Sequence, residues 1–155
     1  MIDAKTQVDF MQFLRSNSVA VISTVASDGQ PESATIYFVV NGKFTFYFMT
    51  KNFSRKYTNL ETNPKVALVI GTENEPVTAQ IQGTAEKITD PKEFDKAMSL
   101  LEQNFLKNEF VAPLFQLSPE KNDIIIYRIT PSWMRWLDLR SDKEKVDGDF
   151  IQIIP

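Results

Sequence analysis

The sequence contains no cysteine and no histidine, and the two absences together remove a large share of side-chain chemistry. Without cysteine there is no disulfide scaffold, no thiol nucleophile and no thiolate-held zinc or iron–sulfur centre. Without histidine there is no Ser-His triad, no zinc–imidazole site and no histidine-ligated haem. An enzyme built on this chain must draw its reactivity from a bound organic cofactor, a carboxylate, a lysine or a tyrosine. An excess of positive charge is also missing. The net charge is −3 and the isoelectric point is near 5.0, which argues against a protein that wraps polyanions, because phosphate-backbone binding needs clustered cations. No stretch approaches the roughly eighteen uninterrupted apolar residues of a membrane span, and Met1-Ile2-Asp3-Ala4 lacks a charged-then-apolar signal pattern. A soluble, cytoplasmic protein is the expectation.

What is present suits one globular domain spanning residues 1–155. Hydrophobic residues make up 43% and charged residues 24%, ordinary globular usage, and twelve phenylalanines supply an aromatic core suited to sheets. Val8, Met11 and Leu14 share one helical face between about Thr6 and Arg15, with Thr6 as the N-cap. Val19 to Val25, the turn Asp28-Gly29 and Glu32 to Val40 predict a β-hairpin. Asn41-Gly42 is a second hairpin turn, leading into a strand from Phe44 to Met49.

A polar stretch, Thr50 to Ser54, precedes a short helix from Arg55 to Glu61, closed by Asn63-Pro64. Val66 to Ile70 returns to the sheet, and Val77 to Ile88 predicts a long strand with Gly83 at a bend or bulge. Asp90-Pro91-Lys92-Glu93 caps a helix that runs to about Asn104. Asn108 to Lys121 predicts a connecting loop. Asp123 to Thr130 and Trp133 to Leu139 predict two strands separated by Pro131-Ser132. The charged run Ser141 to Asp149 predicts a solvated turn before a terminal strand, Phe150 to Ile154. The fold class is therefore mainly β with peripheral helices, a closed or split barrel.

One local conflict points to a site. Ser54-Arg55-Lys56 opens a helix, where the macrodipole disfavours cations, and no acid lies three or four positions from Arg55 or Lys56 to neutralise them. A phosphate would do so, because free N–H groups, the Thr50 and Ser54 hydroxyls and the cations Lys51, Arg55 and Lys56 would converge on one dianion. The alternative is a solvated polar face after a turn.

The run Phe44-Thr45-Phe46-Tyr47-Phe48-Met49-Thr50-Lys51-Asn52-Phe53-Ser54-Arg55-Lys56, followed by Asn59-Leu60-Glu61-Thr62-Asn63-Pro64-Lys65-Val66-Ala67-Leu68, resembles the core signature of the pyridoxamine 5′-phosphate oxidase-like FMN-binding split barrels. The similarity continues through Gln80-Ile81-Gln82-Gly83-Thr84-Ala85-Glu86. The resemblance implies a six- to seven-stranded antiparallel split barrel in which Thr50, Ser54, Arg55 and Lys56 hold the FMN phosphate with Lys51 nearby. The backbone of Thr35, Ile36, Tyr37 and Phe38 would run beside the isoalloxazine ring. It implies a homodimer whose second subunit brings Gln80 and a C-terminal aromatic, Trp136, to the cofactor, with Trp133 in a packing role. A packing role is the alternative for Trp136 as well. The oxidases themselves carry an Arg-x-His pair near the C-terminus, where this chain has Trp136-Leu137-Asp138-Leu139-Arg140, so vitamin B6 oxidation is not expected.

The function implied is a flavin-dependent oxidoreductase passing electrons from a nicotinamide to a small acceptor, with FMN or another flavin such as a deazaflavin as cofactor. The alternatives are a non-catalytic flavin binder or sensor, a haem protein with a non-histidine ligand in the same groove, and an OB-like single-strand nucleic-acid module. The last would stack bases on Phe44, Phe46 and Phe48. Tyr37 and Tyr47 are candidates for ring-facing or proton-relay groups, with strand packing as the other role. The acids Glu73, Glu75, Asp142, Glu144, Asp147 and Asp149 fall in predicted loops and form no catalytic pair.

Overall fold

The computed structural model describes residues 2–72, 75–105, 123–140 and 150–155. The segments predicted as the loop Asn108 to Lys121 and the turn Ser141 to Asp149 lie outside the described residues. The described chain runs α1 (Ala4–Ser16), β1 (Val19–Val25), β2 (Pro31–Val40), β3 (Phe46–Lys51), α2 (Arg55–Thr62), β4 (Lys65–Thr72), β5 (Glu75–Lys87), α3 (Pro91–Phe105), β6 (Ile124–Asp138) and β7 (Ile151–Ile154). The strands form one sheet in the order β3-β2-β1-β4-β5-β6-β7, every pairing antiparallel, and β3 also pairs with β6. Six strands thus close into a barrel and β7 adds at the edge. This is a split barrel, mainly β, with helices outside. No helix among the described residues is long and apolar enough to cross a membrane.

The alternation of side chains decides what fills the barrel. Ala20, Ile22 and Thr24 of β1, Ile36 and Phe38 of β2, and Phe46, Phe48 and Thr50 of β3 all point inward and are buried. The phenylalanines weighed as a base-stacking platform are therefore core or turn residues. Phe46 lies 5.7 Å from Phe38 between ring centroids, and Phe48 stacks on Tyr127 at 5.4 Å. Phe44 sits in the turn and packs on Phe10 at 5.7 Å. α3 covers the outer face of β2 and β3, with Leu101, Phe105 and Ile126 buried against Tyr37, Val39, Tyr47 and Met49. Tyr37 meets Phe105 edge-on, so both strand tyrosines take the packing role.

Three sequence expectations are corrected. The N-cap of α1 is Asp3, not Thr6: its carboxylate accepts from the Thr6 backbone N–H at 2.8 Å and from the Thr6 hydroxyl at 2.7 Å, which also holds the Asp3 carboxyl below its ordinary range. The β2–β3 turn is longer than two residues, because the Asn41 side chain accepts from the Lys43 and Thr45 N–H groups and Phe44 turns to positive φ, so β3 begins at Phe46. Finally, Ile124 to Asp138 is one strand, not two. The register slips at Gln82/Gly83, opposite Pro131, and this bulge absorbs a proline that has no N–H to give the ladder. Gly83 is required there, since a Cβ at that position would sit 2.5 Å from the Thr130 carbonyl oxygen.

Candidate functional site

The end of β3 and the start of α2 place the predicted phosphate residues at one mouth of the barrel. Thr50 is the last inward-facing residue of β3, opposite Ile125 of β6. Its hydroxyl lies 2.7 Å from the Ser54 hydroxyl. Ser54 is the N-cap of α2 and accepts from the Tyr57 N–H at 3.2 Å. The N–H groups of Arg55 and Lys56, at the first two helical positions, have no partner within the helix. Two hydroxyls, two N–H groups without an intrahelical partner and the positive end of the helix dipole therefore lie within one short stretch of chain.

The cations around it are held differently. Lys51 lies outward with its Nζ 5.4 Å from the centroid of the exposed Phe53 ring. Lys56 is partly buried, has no acidic partner among the described residues, and its ammonium is pushed below its ordinary pKa by that burial. Arg55 already has a counter-charge within the chain, one that the sequence reading did not anticipate. Glu32 of β2 forms an ion pair with it, an acid 23 residues away that no search of the helix's own neighbours could find. Asn59, buried on the inner face of α2, donates to Glu32 Oε2 at 2.9 Å and to the Thr24 hydroxyl at 3.0 Å. Tyr127 is buried, and its hydroxyl has no hydrogen-bond partner among the described residues. Burial, and then the nearby Glu61 charge, push its pKa up, so it stays protonated.

The β2 residues divide by face. Ile36 and Phe38 are core, Thr35 and Tyr37 point outward, and the Phe38 carbonyl accepts from Asn104 of α3 at 3.0 Å. Thr35 begins a row across the barrel exterior, Thr35–Val21–Val69–Gln80–Arg135, on five adjacent strands. Gln80 is fixed in it, its Oε1 accepting from Arg135 Nε at 2.8 Å. Val19, Val21 and Val69 are exposed on the same face. Trp136 does not reach this face. It is buried inside its own chain, 5.5 Å from Phe10 and 6.2 Å from Phe13 between ring centroids, with its indole N–H unpartnered among the described residues. Trp133 is the outward tryptophan, stacked under the Arg135 guanidinium at 5.2 Å. Trp136 thus packs within this chain, the alternative weighed for it from the sequence.

A closed six-stranded antiparallel barrel with a hydroxyl-and-cation cluster where α2 meets its mouth is the class of protein defined so far. The sequence pattern of the pyridoxamine 5′-phosphate oxidase family matches residues 8–138, and the chain belongs to that family. No curated protein matches it. Among solved structures it is similar to general stress protein 26 from Bacillus anthracis, at 21% identity and a TM-score of 0.66, covering 96% of this chain and 98% of that one. It is also similar to a heme binding protein from Mycobacterium smegmatis, at 14% identity and a TM-score of 0.75, covering 99% of this chain and 60% of that one. A third is HutZ, the heme storage protein of Vibrio cholerae, at 19% identity and a TM-score of 0.65, covering 80% of this chain and 88% of that one. At such identities the likeness is one of fold.

Proposed function

We propose that the chain is an FMN-binding flavoprotein and a flavin-dependent oxidoreductase that passes electrons from a nicotinamide to a small acceptor. The observation that carries the reading is Lys56, a partly buried ammonium without an acidic partner among the described residues, two positions beyond Ser54 of the Thr50–Ser54 hydroxyl pair, at a helix start whose first N–H groups lack intrahelical partners. A buried cation is costly unless an anion accompanies it, and a phosphate monoester matches donors of this number and kind. The residues suit a haem less well, because histidine and cysteine are both missing from the chain, which leaves methionine or tyrosine as the side chains for an axial position.

In this reading Thr50, Ser54 and the α2 N–H groups orient the phosphate, Lys56 and Arg55 balance its charge, and Lys51 adds field from outside. The β2 backbone at Thr35 to Phe38 lies alongside the ring. When bound, FMN would supply the hydride and electron chemistry, and these residues would fix its position. A second copy packs on the exterior face, since Val19, Val21 and Val69 leave apolar surface there. Gln80, Arg135 and Trp133 line the same exterior face and are the residues a partner would offer. A passive flavin binder or sensor would use the same phosphate residues and differs in not being reduced by a nicotinamide. Replacing both Arg55 and Lys56 with alanine is expected to weaken FMN binding by about 2–4 kcal/mol, the scale of charge-assisted bonds. Fluorescence titration checks this, and unchanged affinity would remove the phosphate assignment.

A further inference from the structure

We propose that Glu32 is a built-in counter-ion that competes with the ligand phosphate for Arg55 and so sets how strongly the site prefers a phosphorylated ligand over its unphosphorylated form. The inference rests on the phosphate reading above and assigns a specificity role to a residue outside it. Glu32 and Arg55 are paired across β2 and α2, and their side chains differ sharply in exposure, 18% for Glu32 and 83% for Arg55. The carboxylate is anchored from beneath. Asn59 uses both hydrogens of its amide, one on Glu32 Oε2 and one on the Thr24 hydroxyl, and Asn59 and Thr24 are themselves buried.

Of the pair, then, the carboxylate is fixed and the guanidinium is free to move. A dianion arriving at the α2 N-terminus cannot displace Glu32 without breaking the Asn59 bond. It must share the guanidinium, whose planar fork has N–H groups to spare, and it meets a fixed negative charge beside the cation that attracts it. Lys56 has no such acidic partner among the described residues, so it keeps its full attraction. Glu32 therefore lowers the affinity for a dianion selectively and leaves a neutral ligand in the same groove unaffected.

The test is titration of the cofactor-stripped wild type, Glu32→Gln and Glu32→Ser with FMN and with riboflavin, with a thermal melt of each variant. Glutamine keeps an oxygen for Asn59 while removing the charge and the acceptor that faces Arg55; serine empties the position. Loss of one like charge near a half-exposed dianion is expected to tighten FMN binding about tenfold at low salt. Riboflavin affinity should stay unchanged and the gain should shrink as salt is added. Unchanged or weaker FMN binding in folded variants would overturn the proposal and make Glu32 a structural support for Arg55, with the phosphate reading intact. A wild type that does not distinguish FMN from riboflavin would overturn the phosphate reading itself, and this proposal with it.

Discussion

At the scale of single residues, the site asks its chain to tolerate an unfavourable position. Lys56 is partly buried and its pKa is lowered by desolvation alone, so folding without ligand leaves a charged group poorly solvated. The folded pKa lies below the unfolded value of 10.5. The penalty is therefore fully present below the folded pKa and is relieved as pH rises through it towards the unfolded value. Lys56→Met is expected to raise the melting temperature of the ligand-free protein at pH 7, to lose that advantage above pH 10.5, and to weaken FMN binding about tenfold or more, the trade between stability and function seen at binding sites. Melting curves at the two pH values and an FMN titration check the three parts. The cluster of Thr50, Ser54 and Lys56 as a candidate was legible in the sequence because the residues are close in the chain and Lys56 is a cation at a helix start. Glu32 was not, since its approach to Arg55 depends on how α2 docks on the β1–β2 hairpin. The tryptophans show a second limit. Trp133 and Trp136 are three apart on one strand and must face opposite ways, but which faces inward depends on the cover that Phe10 and Phe13 of α1 provide.

At the scale of elements, periodicity and turn chemistry carried most of the fold. The inward rows of β1, β2 and β3 and the Asp90 cap of α3, which accepts from the Glu93 N–H at 2.8 Å, follow directly from spacing. The division of β6 at Pro131 did not hold, for a physical reason: a proline ends a strand only when its missing N–H has a partner to disappoint, and the bulge at Gly83 removes that partner. Gly83 is thus the residue on which the continuity of β5 and β6 depends. Gly83→Ala would force a Cβ against the Thr130 carbonyl and is expected to destabilise the protein by about 1–3 kcal/mol. Urea unfolding measures it, and a stability equal to wild type would show that the bulge can shift. Because β5 also carries Gln80, the variant should weaken flavin binding only as far as it loosens the sheet.

At the scale of the whole molecule, the barrel is a frame that brings the Thr50–Ser54 hydroxyl pair at the start of α2 and an apolar exterior face within one sheet. Val21 and Val69 are directly paired across β1 and β4 and both are exposed, so an aspartate at Val69 would put an unpaired charge in the centre of any contact made there. Val69→Asp is expected to shift the protein from dimer to monomer in sedimentation velocity and to weaken flavin binding along with it. A monomeric wild type would remove the partner from the account while leaving the cluster at α2. The central claim is that this cluster holds a phosphate-bearing flavin, and the most direct measurement is a fluorescence titration of the cofactor-stripped protein with FMN and riboflavin in parallel. The account predicts FMN binding at least about tenfold tighter than riboflavin, the worth of about one charge-assisted bond. Equal affinities, or no binding of either, would contradict it.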